Sequence, residues 1–339
     1  MKRRLLSILI SIYIVVVLSG FAIGKEITIS GRTMGTTYSI KAYGPFLTDV
    51  QFIKTSVEKQ LKAINLSMSV FKKNSEISRF NRDSTIQMKV SEDFFSVLKT
   101  AEYIWKQSGG ALDGTVSPLI EIWGFGRNKK KTVPTKEQID TALKKTGFQN
   151  IKLYDGTIRK LKPGITLNLG SIAKGFAVDK VSSVLKKMGI DNFFVEIGGE
   201  IYVSGKKPGG IKWVIGINTP SKNASLKNYF RAMELQDQAI ATSGDYRNFF
   251  QKGNKSYSHI INPKTGYPVS NGVVSVSIVA KNCTLADGLA TSIMVMGVEK
   301  GIKLLNRLED VEGLIVVKDK MVKDQGKLKI YKSRNFILK

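Results

Sequence analysis

The chain has 339 residues, with 53 Lys and Arg against 27 Asp and Glu, one histidine and one cysteine. A lone cysteine excludes an internal disulfide, and one histidine without paired cysteines argues against a zinc site built on nitrogen and sulfur ligands. The net charge of +26 favours an anionic neighbour, but the basic residues are dispersed in short runs such as Lys129-Lys130-Lys131 and no nucleic-acid-binding motif is visible, which leaves a phosphorylated ligand or an anionic membrane surface.

Lys2, Arg3 and Arg4 precede a mostly apolar run from Leu5 to Leu18. At 14 residues it falls short of the roughly 20 that cross a bilayer, and Ala22-Ile23-Gly24 offers the small-x-small pattern cut by signal peptidase. Residues 1–24 are therefore expected to be a signal peptide, and 25–339 one exported catalytic unit in the periplasm or on the extracytoplasmic face of the membrane. An uncleaved anchor stays open, because Phe21 and Ile23 lengthen the run. Phe21 stands where a lipoprotein would carry its acylated cysteine, so lipidation is not expected there. Without the three basic leader residues, 50 basic face 27 acidic ones, a net +23.

Residues 26–43 alternate as strands do. Val50, Ile53, Val57, Leu61 and Ile64 then fall on one stripe of a helix entered at Thr48 or Asp49. A second helix is predicted from Ser91 to Ser108, stopped by Gly109-Gly110; a third opens on the capping box Thr135/Gln138 and closes at Gly147. Ile151 to Leu161 reads as a hairpin over Asp155-Gly156, followed by a helix from Ser171 to Met188 whose buried side is Ile172, Phe176, Val181 and Leu185. Phe193 to Val203 is strand broken at Gly198-Gly199, and further strands are expected at 211–217, 229–235, 256–262, 273–280 and 313–318, with helices over 285–308. This mixture without strict βαβ alternation predicts an α+β fold, largely antiparallel sheets with packed helices.

The usual nucleotide signatures are missing: neither G-x-G-x-x-G after a strand nor G-x-x-x-x-G-K-[ST] occurs. Asp287 and Thr291, at i and i+4 of a helical segment, present a carboxylate and a hydroxyl on one face, oxygen ligands of the kind Mg²⁺ shares with substrate phosphates. Alone, an aspartate there equally well stabilises a helix N-terminus. Asn168 to Gly175 reads as a strand end turning into a helix, where free amides and Lys174 could receive phosphate. His259 precedes the tight turn at Asn262-Pro263-Lys264-Thr265-Gly266 and could face a ligand or serve the fold. Nothing local marks Cys283 as a nucleophile.

Five blocks in order resemble the ApbE family of FAD:protein FMN transferases over nearly the whole chain beyond the leader. They are Thr33-Met34-Gly35-Thr36; Ser67 to Phe71 with Ser75 to Asn81; Gly110 to Asp113 leading to Pro118-Leu119 and Trp123 to Gly126; Asn168 to Gly175; and Ala241 to Tyr246 with His259 to Gly266 and Ala286 to Thr291. The resemblance implies that FAD is the substrate, lined by Met34, Phe71, Ala111, Leu112, Asp113, Asn168, Lys174, His259 and Ile260. It implies that Asp287, Thr291 and the Ser171 carbonyl hold Mg²⁺, and that the acceptors are flavoprotein subunits of membrane redox complexes. Asn168 and Asn262 depart from the family, which commonly has acidic residues there. The expected reaction joins the FMN half of FAD to a threonine or serine hydroxyl with AMP leaving, and either Asp287 or His259 takes the proton. A metal-dependent FAD pyrophosphatase and a non-enzymatic FAD carrier are the alternatives.

Overall fold

Ile27 and Ile29 face Ile40 and Ala42 across an antiparallel pair, β1 (Lys25–Thr33) and β2 (Thr36–Gly44), with Ile29 opposite Ile40 and all four buried. The two residues joining the strands, Met34 and Gly35, have φ of 50° and 76°, the left-handed backbone that a two-residue hairpin requires. The computed structural model describes residues 24–82, 84–127, 129–220, 229–245, 248–253, 255–318 and 328–338. The expected signal peptide, apart from Gly24, and Tyr246 of the fifth block lie outside the described residues.

The chain continues through α1 (Val50–Met68), α2 (Glu76–Phe80), β3 (Gln87–Lys89), α3 (Glu92–Gln107), α4 (Ser117–Ile122), α5 (Lys136–Leu143), β4 (Ile151–Tyr154), β5 (Thr157–Lys160) and α6 (Ala173–Lys187). Next come β6 (Asn192–Ile197), β7 (Glu200–Ser204), β8 (Trp213–Asn218), β9 (Tyr229–Leu235), β10 (Gln238–Gly244), β11 (Phe249–Lys252), β12 (Lys255–Ser258) and β13 (Val273–Ala280). The last elements are α7 (Cys283–Met296), α8 (Val298–Leu305), β14 (Glu312–Lys318) and β15 (Leu328–Lys332). Eight strands form one sheet in the order β1-β2-β6-β7-β10-β13-β14-β15, every neighbour antiparallel. The expected α+β class is what is found.

One face of this sheet is covered by α6 and α7, with α1 and α3 packed outside them, around a core that includes Val57, Leu61, Val97, Ile104, Val181, Leu185 and Leu289. The β8–β9 hairpin covers part of the other face, burying Trp213, Ile215 and Met233 against Val203, Ile240 and Leu314. A small third cluster joins α4 and α5 through Leu119, Trp123 and Ile139. Side-chain caps at Asp49, Ser91 and Thr135 open α1, α3 and α5, the last as a full capping box.

Some boundaries differ from expectation. Residues 165–169 are extended but join no ladder; Leu167 N–H donates to Asn81 Oδ1 (2.7 Å) and Asn168 N–H to the Gly114 carbonyl (2.7 Å). The following helix starts at Ala173, two residues later than expected. The strand over 256–262 ends at Ser258, because the turn at Asn262 to Gly266 bends the chain; Ile261 keeps only an isolated bridge to Pro268. Gly297, with φ 80°, divides α7 from α8.

Candidate active site

The N-terminus of α6, the Gly198-Gly199 turn, the end of β10 and the first turns of α7 meet at one end of the sheet. They border a cavity of about 410 Å³, within the ~300–1,000 Å³ usual for small-molecule sites. Ala111, Leu112, Asp113, Asn168, Ser171, Lys174, His259, Ile260, Asp287 and Thr291 all line it. Met34 and Phe71 do not. Met34 sits at the β1–β2 hairpin tip, half-buried against the core, and Phe71 is 69% exposed beside a separate groove near Arg82 and Arg127.

Close approach of α6 and α7 builds the centre. A Cβ on Gly175 would lie 2.2 Å from the Cys283 carbonyl oxygen and 2.8 Å from Asp287 Cβ, so only glycine allows this contact. The Gly175 N–H then donates to Asp287 Oδ2 at 2.9 Å. From the next turn of α6, Asp179 accepts from the backbone N–H groups of Cys283 and Thr284 (both 2.8 Å) and from Thr284 Oγ1 (2.5 Å), while Asn282 accepts from Leu285 N–H. Asp179 ties the start of α7 to α6, the Asn282 cap opens α7, and together they set Asp287 and Thr291 beside Lys174. Thr291 Oγ1 lies 3.2 Å from Ser243 Oγ at the end of β10.

Of the amides expected to be free at the start of α6, only those of Ser171 and Lys174 are without a hydrogen-bond partner among the described residues. Ile172 and Ala173 N–H donate to the Leu169 carbonyl and Gly175 N–H to Asp287, so an anion here would meet the Lys174 side chain first. Lys174 Nζ is 2.5 Å from Glu200 Oε1, with the two side chains 30% and 3% exposed. Burial works against the lysine charge, but Asp287 and Glu200 outweigh it and hold its pKa above the ordinary range. Burial raises the Glu200 carboxyl; the Lys174 ammonium pulls against this and Asp287 adds to it. Burial likewise raises Asp287, opposed by Lys174 and the Gly175 N–H.

One ammonium thus serves two buried carboxylates, and Glu200 Oε2 is buried without a hydrogen-bond partner among the described residues. The set is short of a cation. A hard divalent ion fits that deficit, with oxygen donors from Asp287, Thr291 and the Ser171 carbonyl. No group of three His, Cys, Asp or Glu able to hold a metal occurs among the described residues.

His259 Nδ1 lies 2.9 Å from the Asn248 carbonyl oxygen. A carbonyl only accepts, so Nδ1 carries the proton and Nε2 keeps its lone pair. Burial, with the Lys174 and Lys131 charges, lowers the imidazole pKa against the pull of the Asn248 hydrogen bond, so the ring is neutral near pH 7. Cys283 is fully buried and its thiol is pushed well up, chiefly by burial, which makes it inert as a nucleophile. Asp113 lines the cavity as expected. Its carboxylate accepts from Thr115 N–H (2.8 Å), Thr115 Oγ1 (2.5 Å) and Phe148 N–H (2.9 Å), so it braces this wall of the cavity.

Glu200 and Asp179 escaped the sequence reading: each follows or sits within an ordinary helix or strand pattern, and each finds its partner only through the fold. Residues of the last three quoted blocks meet here. Trp123 Nε1 donates to the Gly266 carbonyl at 2.8 Å, and a Cβ on Gly198 would meet Thr36 Cγ2 at 2.8 Å and Lys174 Cδ at 3.3 Å. Residues 34–315 match the model of the ApbE family. The chain belongs to the ApbE family. Among its relatives, the FAD:protein FMN transferase of Vibrio cholerae is 40% identical over 92% of both chains, and that of Haemophilus influenzae is 38% identical over 84% of both. The solved flavin transferase ApbE from Vibrio cholerae superposes with a TM-score of 0.81 at 40% identity, covering 91% of this chain and 97% of that one.

Proposed function

We propose that this chain is an exported, Mg²⁺-dependent transferase that moves the FMN half of FAD to a threonine or serine hydroxyl of an acceptor flavoprotein, releasing AMP. Family membership supports the reaction class. The observation that carries the reading to these residues is the meeting of Lys174, Asp287 and His259 around one cavity. Lys174 offers the pyrophosphate its charge, restrained by Glu200. Bound Mg²⁺ would neutralise charge on the pyrophosphate oxygens. Asp287, with Thr291 and the Ser171 carbonyl, would hold that ion, and the Gly175 N–H orients the Asp287 carboxylate.

The acceptor oxygen forms a bond to the FMN-side phosphorus as the bond from that phosphorus to the AMP oxygen breaks. We assign the hydroxyl proton to His259 Nε2, because the Asn248 carbonyl fixes the opposite tautomer and burial keeps the ring neutral. Met34 and Phe71, which lie outside the cavity, are proposed to contact a ring of FAD that extends beyond it. A non-glycine residue held at φ 50° is strained, as Met34 is, and such strain clusters at ligand sites. Acceptors anchored in the same membrane, such as flavin subunits of redox complexes, suit an exported enzyme. The reading is tested by incubating the protein with FAD, Mg²⁺ and candidate acceptors and weighing the products. An acceptor heavier by FMN, with AMP released, supports it. FMN and AMP without a modified acceptor would make the protein a pyrophosphatase, and bound FAD without AMP a carrier.

A further inference from the structure

β10 outruns one of its neighbours. Its pairing with β7 covers only Gln238 to Ile240, while its pairing with β13 continues to Gly244. Residues 241–244 therefore border a notch in the sheet, where Thr242, Ser243 and Gly244 line the cavity across from Gly198 and Glu200. Ala239 and Ala241 pack in the core beneath the helices and Ile240 in the core beneath the β8–β9 hairpin. Alternation along the strand thus turns the Ser243 side chain toward α7 and the Thr242 side chain away from it. Thr242 Oγ1 meets Ser277 Oγ, directly opposite on β13, at 2.8 Å. Ser243 Oγ instead meets Thr291 Oγ1 at 3.2 Å.

That contact sets Thr291 apart from other hydroxyls in the helices of this chain. A serine or threonine inside a helix can donate to the carbonyl four residues back. Ser292 Oγ does so to the Gly288 carbonyl at 2.8 Å in α7 itself, as Thr100, Thr141 and Ser182 do in α3, α5 and α6. Thr291 makes no such bond, and Ser243 is the one partner of its hydroxyl among the described residues. The bond holds Thr291 Oγ1 off its own helix backbone and toward the strand end, where both residues line the cavity.

Counting protons fixes the direction of this bond. Two hydroxyls own two protons, and one hydrogen bond uses one of them. A threonine oxygen that lends a lone pair to a cation still has its proton to donate, and the acceptor within reach is Ser243 Oγ. The Ser243 proton is then left over on a side chain that lines the same cavity as Lys174, where the expected ligand is a pyrophosphate. We propose that Ser243 is a positioning residue of the cation site, accepting the Thr291 proton so that a Thr291 lone pair faces the ion, and donating its own proton to a phosphate oxygen of the substrate. The inference rests on the Mg²⁺ reading given above. A partner that orients a metal ligand from outside the coordination shell is worth about 10–100-fold in metal affinity, and the lower end suits a neutral hydroxyl acting on a neutral ligand.

Mn²⁺ is the probe, titrated into the FAD-free protein and followed by electron paramagnetic resonance. Ser243→Ala should bind it about tenfold more weakly, while Ser243→Thr, which keeps the oxygen, should stay close to the unaltered protein. Because the effect passes through Thr291, Ser243→Ala should cost no further Mn²⁺ affinity in a Thr291→Ala background. FAD titration in EDTA reads the second role: Ser243→Ala should weaken FAD binding about tenfold in either background, the loss of one hydrogen bond to a charged group. Mn²⁺ affinity unchanged in Ser243→Ala but weakened in Thr291→Ala, or losses that add in the double variant, would overturn the positioning role and leave the cation reading standing. Unchanged FAD affinity in EDTA would overturn the phosphate contact. Mn²⁺ affinity unchanged in both Thr291→Ala and Asp287→Ala would overturn the cation reading, and this proposal with it.

Discussion

Lys174→Ala should damage the fold as well as the site. The substitution leaves Glu200, whose side chain is 3% exposed, and Asp287 buried without their shared ammonium. Breaking a buried pair by removing one partner costs about 3–5 kcal/mol; with Lys174 itself 30% exposed, the lower end, about 3 kcal/mol, is expected. In a domain of this size that lowers Tm by roughly 6 °C. Lys174→Ala/Glu200→Gln removes the stranded charge together with its partner, and should recover about 1–2 kcal/mol of the loss. FAD affinity behaves differently. Both variants lack the ammonium, so both should bind FAD more weakly by about 1.5–3 kcal/mol. Urea unfolding of the metal-free proteins and FAD titration measure the two quantities separately. A double variant no more stable than the single would show that Glu200 and Lys174 are not coupled as described, and unchanged FAD affinity would remove Lys174 from the substrate site.

Asp287→Ala should abolish AMP release while circular dichroism stays native, because the charged metal ligand is lost; Thr291→Ala should do less and be partly rescued by excess Mg²⁺, since water replaces a neutral hydroxyl. For His259 the sign is set by the lowered pKa: the neutral ring is the active form, so transfer should be level near pH 7–8 and fall on acidification through a value below the usual ~6.5. His259→Gln should be about 10²–10⁴-fold slower and lose that acid limb; an unchanged pH profile would exclude it as the base. Gly175→Ala should cost about 1–3 kcal/mol or more, read by urea unfolding, because its methyl would meet the Cys283 carbonyl at 2.2 Å. N-terminal sequencing of the exported protein should begin at Lys25; recovery of Met1 would favour the uncleaved anchor.

How much could be read in advance follows from how local each signal is. The caps at Asp49, Ser91 and Thr135 were legible because cap, partner amide and apolar stripe lie within a few residues. β10, Gln-Ala-Ile-Ala-Thr-Ser-Gly, was not: its small residues have little strand preference, and its conformation comes from pairing with β7 and β13. The same holds within the site. Asp287 and Thr291 share a helix face by spacing alone, whereas Glu200 acquires meaning only when the sheet brings it to Lys174, 26 positions earlier. Asp113 shows the converse, a residue placed correctly on the cavity wall whose carboxylate is consumed by Thr115 and Phe148.

The two departures from the family pattern, Asn168 and Asn262, have a common physical explanation. Asn168 Oδ1 accepts the Gly170 N–H and Asn262 Oδ1 the Lys264 N–H, each two residues on and each at 2.9 Å. Both are Asx turns, which require an acceptor oxygen and no charge. An amide therefore keeps the loop that leads into α6 and the turn after His259 in the shape that a carboxylate would give. What changes is the field. Asn168 lines the cavity beside Lys174, and a second anion there would oppose the phosphates that the lysine attracts. The buried carboxyls at the centre are instead Asp287, the proposed metal ligand, and Glu200, which restrains the ammonium. The asparagine at 168 thus omits a charge that the turn does not need, and it leaves the proposed cation-binding and phosphate-binding roles to Asp287 and Lys174, both of which line the cavity.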